Sequence, residues 1–420
     1  MSDHQSQRSA LLAQLEGQLA KERYNASVSG QYLAAAGHFL DYLGKRHVPI
    51  EAVQPSHLTT YLKFALQQFS LRNGHAPFSI THWRASRTGG IHQLLRLVNG
   101  QWPSRAAARR PHEAFSQALS TEYVRWLVER GELAEVTIAG HAAEARRFLS
   151  WYGERKNADT LSAIAIADID AYLQARAPSL RRISRKAVAL RLRCFLRFAH
   201  ATGRTARDFA PSVLAPMLYA LESIPSALSP VDIRAVVQAA RKDHSPKGLR
   251  DYAILLLLST YGLRAGEIIR LQLDDIAWRT DRFCVHHTKT GSQSVLPLLP
   301  AVGEALLAYL RRGRPRTDAP EIFIRAHAPY RGFARGSCLY SPIRRRIEAA
   351  GVQPAGKRGP HTFRHARAVS LLRSGVPLKV IGDVLGHRSA ASTTPYLKLA
   401  TEELRGVALE IPGWTAKEQP

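Results

Sequence analysis

A short apolar and aromatic segment recurs in the first half of the chain, and this recurrence constrains the fold more than any other feature. The stretch His38-Phe39-Leu40-Asp41-Tyr42-Leu43-Gly44 matches Arg147-Phe148-Leu149-Ser150-Trp151-Tyr152-Gly153. Further matches follow in the same order: Tyr61-Leu62 with Tyr172-Leu173, and Leu94-Leu95-Arg96-Leu97 with Phe195-Leu196-Arg197-Phe198. The apolar spacing is that of amphipathic helices. The front half therefore reads as two copies of one small helical module. Leu-rich and Ala-rich helices also resemble one another by chance, but the preserved order argues against that alternative.

Between the copies, Gln101-Trp102-Pro103-Ser104-Arg105 through Arg109-Arg110-Pro111 is a basic, Pro-bounded stretch that suits a linker. A second boundary falls near Ile224-Pro225-Ser226, after which Ser229-Pro230-Val231-Asp232 carries the N-cap and first-turn signals of a new helix. The expected domains are 1–110, 111–225 and 226–420. The last begins with the aliphatic run Tyr252–Thr260, closed by Tyr261-Gly262, where Gly262 suits a left-handed cap. Strand-like pieces at Arg282–His286 and Ser294–Leu298 flank Lys289-Thr290-Gly291-Ser292, which reads as a hairpin turn. The remainder is helical, broken at Ser374-Gly375-Val376-Pro377 and Leu385-Gly386. The fold class is mainly α with one small antiparallel sheet.

Across 420 residues, 59 Lys and Arg oppose 33 Asp and Glu, a formal charge of +26. Such a chain repels itself unless an extended polyanion neutralises it, which points to nucleic acid. A basic membrane-surface protein is the alternative, but no stretch is long and apolar enough to span a bilayer, and Met1–Arg8 is polar rather than signal-like. Cys194, Cys284 and Cys338 are odd in number and form no CxxC pair, so neither a disulfide framework nor a structural zinc site is expected, and a reducing cytosol fits.

Several residues suit chemistry, each with a plainer reading beside it. Arg264 and Glu267 have the spacing of an ordinary salt link along a helix. His361-Thr362-Phe363-Arg364-His365 follows Pro360 at a helix start, so His361 and Arg364 share a face near exposed backbone N–H groups, a location that favours an anion. His361 and His365 also have zinc-pair spacing, but Thr362 stands where such a site needs its catalytic Glu. His387 follows the helix break at Leu385-Gly386, as a surface loop His also would. Tyr396 follows Ser392-Thr393-Thr394-Pro395 in the first turn of a helix, where most tyrosines are core residues.

Together, Arg264, Lys289, His361, Arg364, His387 and Tyr396 stand in the order and context of the tyrosine recombinase, or phage integrase, family. The resemblance is carried by Tyr261-Gly262-Leu263-Arg264-Ala265-Gly266-Glu267, by Thr288-Lys289-Thr290-Gly291 before Val295-Leu296-Pro297-Leu298, by His361–His365, and by Leu385-Gly386-His387-Arg388-Ser389 leading to Tyr396. It covers the chain from about Phe115 to about Ala400, with 111–225 resembling the family's core-binding domain. The first module resembles that domain only through the internal repeat. Pro395, which restricts Thr394 to extended conformations, and Phe363, in place of the usual Leu, depart from the family pattern.

The resemblance implies a site-specific recombinase that cuts and rejoins DNA through a 3'-phosphotyrosyl bond at Tyr396. His361 would act as base, Arg264 and Arg364 would hold the phosphate oxygens, Lys289 would protonate the 5'-hydroxyl, and His387 would donate a hydrogen bond to the phosphate. Glu267 and His365 would support them. No metal and no cofactor are expected, and no GxxxxGK[ST] loop occurs. Arg181, Arg182, Arg185, Lys186, Arg191 and Arg193, with Arg344 and Arg345 (followed by Arg346), are candidate contacts to double-stranded DNA. The implied assembly is a homo-tetramer on paired sites, possible partners being related recombinases, and the implied location is cytoplasmic and nucleoid-associated. Leu404, Val407, Leu409 and Ile411, before Pro412-Gly413-Trp414, would dock on a neighbouring subunit or on their own domain. A type IB-like topoisomerase, a non-catalytic DNA-binding protein and a basic nuclease are the rivals; the last lacks an acidic cluster for Mg²⁺.

Overall fold

The computed structural model describes residues 2–103, 110–131, 133–219, 227–287, 291–354, 356 and 358–386. Helices α1 (Ser2–Lys21), α2 (Ala26–Gly44), α3 (Pro55–Asn73) and α4 (Ile80–Asn99) come first. They are followed by α5 (Pro111–Glu129), α6 (Glu135–Lys156), α7 (Ile166–Arg176) and α8 (Arg182–Ala201). The recurring positions fall on successive helices in the same order, α2, α3 and α4 against α6, α7 and α8. They are buried in both sets: Phe39 and Phe148, Leu40 and Leu149, Leu43 and Tyr152, Tyr61 and Tyr172, Leu94 and Phe195, Leu95 and Leu196. The recurring residues are thus those that fill helical cores.

The chain divides into two compact units. One gathers the described residues within Glu51–Gln68 and Asn99–Glu222. Its core is an aromatic cluster in which Phe148 lies 5.1 Å from Tyr172 and Tyr123 lies 5.3 Å from Phe195, both edge-on. The Glu144 carboxylate is buried in this unit; it accepts from the Tyr172 hydroxyl at 2.6 Å and from Arg147 and Arg176. Burial, then this hydrogen bond to Glu144, pushes the Tyr172 phenol well above its ordinary range.

The other unit gathers the described residues within Met1–Ile50, Phe69–Val98 and Ser223–Pro420. After α9 (Pro230–Arg241), helix α10 (Pro246–Tyr261) runs through the core, with Ala253, Ile254, Leu255, Leu257 and Leu258 fully buried. Ser229 caps α9, accepting from Asp232 N at 3.1 Å, and Gly262 ends α10 at φ +68°. A Cβ at Gly262 would also lie 2.9 Å from Leu385, so glycine is required on two counts. The four-residue helix α11 (Ala265–Ile268) precedes an antiparallel sheet in the order β1 (Ile276–Ala277), β2 (Arg282–His287), β3 (Ser292–Pro297). In the β2–β3 register, Arg282 faces Pro297 and His287 faces Ser292. Helices α12 (Pro300–Arg312), α13 (Tyr340–Ala349), α14 (Pro360–Arg373) and α15 (Leu378–Val384) complete it. The expected class, mainly α with one small antiparallel sheet, is the observed one.

No described helix is long and apolar enough to cross a membrane, and Cys194, Cys284 and Cys338 are free thiols. Phe148 is fully buried. Phe148→Ala is expected to cost about 3–5 kcal/mol, because it removes a ring packed against Tyr152, Tyr172 and Phe195 and leaves a cavity. Denaturant unfolding monitored by aromatic fluorescence reads this, and a loss under about 1 kcal/mol would contradict the packing described.

Candidate active site

The site is organised by a carboxylate. Arg264 precedes α11 in extended conformation, and Glu267 sits at the third helical position. The Glu267 carboxylate accepts from the Arg264 backbone N–H at 2.7 Å through Oε2 and from Arg264 Nη1 at 2.7 Å through Oε1. It also accepts from Nδ1 of His287, the last residue of β2, at 2.9 Å. The expected salt link between Arg264 and Glu267 is present, and the Glu267 side chain is 1% exposed. Burial alone would raise its pKa. The hydrogen bond from His287, then the backbone and guanidinium bonds and the charge of Arg264, outweigh burial and hold the carboxyl below its usual range.

Arg364 comes from α14, which opens at Pro360 after the Gly359 N-cap. It is buried, and its Nη1 donates to Gly262 O at 2.8 Å and its Nη2 to Leu385 O at 2.5 Å. Arg264 Nη2 donates to the adjacent carbonyl, Gly386 O, at 3.0 Å. Two arginines a hundred residues apart in the chain thus hold the Leu385-Gly386 turn, and Arg364 also holds the end of α10. Carbonyl oxygens satisfy N–H groups without cancelling charge. On α14, Thr362 is buried with its hydroxyl bonded to Gly359 O, His361 is exposed, and His365 is half-buried, its ring 6.2 Å from that of His361. Among the described residues no group of three or more His, Cys, Asp or Glu could hold a metal ion.

Lys289, His387 and Tyr396, with Pro395 and the apolar tail from Leu404 to Trp414, lie outside the described residues. The segments entering Lys289 and His387 are described: His287 ends β2 two residues before Lys289, and Gly386 immediately precedes His387.

The candidate DNA-contacting cations are placed differently from one another. Arg181 and Arg182 are exposed at the start of α8, with Arg182 5.5 Å from the Tyr219 ring centre. Arg185 donates to Ala177 O and Leu180 O, and Arg193 donates to Val213 O at 3.0 and 2.6 Å, so both brace their own backbone. Lys186 and Arg191 are half-buried on α8, Arg191 against Gly140. In the other unit, exposed Arg344 pairs with Glu348 at 3.3 Å, Arg345 is exposed, and Arg346 is bound to Asp243 and Asp251.

Four contributors escaped the sequence reading: His287 and the carbonyls of Gly262, Leu385 and Gly386. His287 left a signal, since alternation along β2 from Phe283 and Val285 directs it inward. Carbonyls leave none, because every residue has one.

Replacing Glu267 by Gln sets an amide donor against donors, and breaking a buried pair costs about 3–5 kcal/mol. A carboxyl held low stabilises the fold above its unfolded pKa, and that stability is lost as pH falls through the folded value. The stability gap between wild type and Glu267→Gln is therefore expected to be widest near neutrality and to shrink below about pH 4.3, the ordinary Glu range. A gap constant with pH would refute the charge assignment.

Residues 227–403 match the Phage integrase family. The chain is 58% identical over 190 residues to the integrase/recombinase y4gC of Sinorhizobium fredii strain NBRC 101917 / NGR234, covering 45% of this chain and 97% of that one. It is 33% identical over 390 residues to y4rA of the same organism, covering 92% of this chain and 90% of the relative. Tyrosine recombinase XerD of Lacticaseibacillus casei is 27% identical over 295 residues, 69% of this chain and 96% of XerD. Among solved structures, XerH bound to its difH substrate before cleavage superposes with a TM-score of 0.53 at 15% identity, covering 72% of this chain and 98% of XerH. A lambda integrase tetramer bound to a Holliday junction gives 0.52 at 19% identity, covering 74% and 86%. A relative a third identical along nearly the whole of both chains settles the lineage: the chain belongs to the phage integrase family of tyrosine recombinases.

Proposed function

We propose that Tyr396 is the nucleophile of this recombinase and that Arg264, Lys289, His361, Arg364 and His387 serve it. The observation that carries this reading is the joint grip of Arg264 and Arg364 on Leu385-Gly386, with Arg364 also bound to Gly262. It fixes two permanent charges beside the segment that leads to His387. The Tyr396 oxygen attacks the scissile phosphorus, forming a 3'-phosphotyrosyl bond as the bond to the 5'-oxygen breaks. An isolated phenol ionises near pKa ~10, so His361, exposed on the first turn of α14, takes the proton. The two guanidinium forks stabilise charge on the non-bridging oxygens. Lys289 protonates the departing 5'-oxygen, and His387 donates to the phosphate. Because the covalent bond conserves the energy of the phosphodiester, a second 5'-hydroxyl reverses the step without a nucleotide cofactor.

The helical segments 1–110 and 111–225 hold the duplex as two versions of one module, and four copies of the chain join paired sites. The internal repeat supports the first statement; the tetrameric lambda integrase neighbour supports the second. Phosphate contacts fall to Arg181, Arg182, Arg345 and the half-buried Lys186 and Arg191 more than to Arg185, whose Nε donates to its own backbone, and Arg193, whose Nε and Nη2 do.

On a nicked suicide substrate the wild type is expected to accumulate a covalent protein–DNA adduct and Tyr396→Phe none; an adduct with Phe would exclude Tyr396. Log affinity for duplex should fall linearly with log salt, and Arg181→Ala and Arg345→Ala should each lower that slope by roughly one, whereas Arg193→Ala should lower thermal stability instead. A slope unchanged in both surface variants would remove these residues from the interface.

A further inference from the structure

Strand β2 directs Phe283 and Val285 into the core, and His287 continues the same face at its end, 2% exposed. An imidazole at such a position needs partners for both ring nitrogens. Nδ1 lies 2.9 Å from Glu267 Oε1 and Nε2 lies 2.9 Å from Ser294 Oγ on β3. The carboxylate only accepts, so Nδ1 carries a proton. The ring also fills the space above Gly386: a Cβ there would lie 2.7 Å from ring Cε1 and Nδ1. One side chain therefore touches the acid that orients Arg264, the opposite strand of the Lys289 hairpin, and the residue before His387.

We propose that His287 is a positioning residue for Lys289. It pins the end of the hairpin stem to the Arg264–Glu267 pair, so that the proton donor two residues further on is aligned with the phosphate that Arg264 holds. The hydrogen bonds to Glu267 and Ser294 are the two ends of that pin, and removing either one frees the hairpin without removing a charge from the phosphate. This rests on the reading of Lys289 as general acid.

The test compares single-turnover cleavage of ordinary DNA with cleavage of DNA whose scissile 5'-bridging oxygen is replaced by sulfur. In the second substrate the Tyr396 oxygen forms its bond to phosphorus, the phosphorus–sulfur bond breaks, and sulfur keeps the electron pair. A thiol ionises near pKa ~8.5, so it departs without a proton from lysine. His287→Ala and the milder Ser294→Ala are expected to slow cleavage of ordinary DNA on the order of ten-fold or more, as misplacing a general acid does. Both should return to within about three-fold of wild type on the sulfur substrate, with duplex binding unchanged, since the lost step is proton transfer alone. Lys289→Ala is the reference and should be rescued in the same way. If Lys289→Ala is rescued but the His287 and Ser294 variants stay slow on sulfur, or are never slow on oxygen, the positioning role is overturned. If Lys289→Ala is not rescued, the general-acid reading itself falls.

Discussion

The buried carboxylate of Glu267 is the interaction on which the arrangement around Arg264 and the end of β2 depends. A carboxylate removed from water is costly unless donors surround it, and here two N–H groups of Arg264 and one of His287 do so. The same bonds fix the backbone where α11 begins, the direction of the Arg264 guanidinium and the end of β2. Elements from three places in the chain meet on one residue, so its loss would disturb the cation and the hairpin together.

The arginines of this unit divide by what satisfies them. Arg250 and Arg346 are neutralised: Asp251 binds both, at 2.8 and 3.1 Å, and Asp243 binds Arg346 at 2.7 Å. The Asp243 carboxyl is lowered to about 2, chiefly by its hydrogen bond with Ser245, then against the cost of burial by Arg346. Those charges are spent within the fold. Arg264 is paired with Glu267 at 2.7 Å, and its other end and the Arg364 guanidinium are oriented by carbonyl oxygens. In the other unit Arg193 is tied to Val213 O, whereas Arg181, the N-cap of α8, is exposed.

Much of the fold was legible because it follows from local rules. The spacing of Phe148, Tyr152 and Phe195 marks helices with one buried face, Ser229-Pro230 and Gly262 mark their ends, and alternation marks β2 and β3. The second strand was read one residue short, ending at His286, and this hid His287. The division into units was less legible. Residues within Met1–Ile50 and Phe69–Val98 group with the C-terminal part, whereas Glu51–Gln68 groups with the helices that follow Asn99. Periodicity says which face of a helix is buried but not which partner buries it.

The sequence by itself determined the mainly helical class, the repeated core positions and the ordered set from Arg264 to Tyr396, because residue type and spacing carry that information along the chain. Only the tertiary structure decided that Glu267 is buried rather than exposed, that His287 joins it, and that the arginines are seated on the carbonyls of Gly262, Leu385 and Gly386. Those decisions depend on contacts between distant segments and on backbone oxygens common to every residue, which no side-chain pattern encodes.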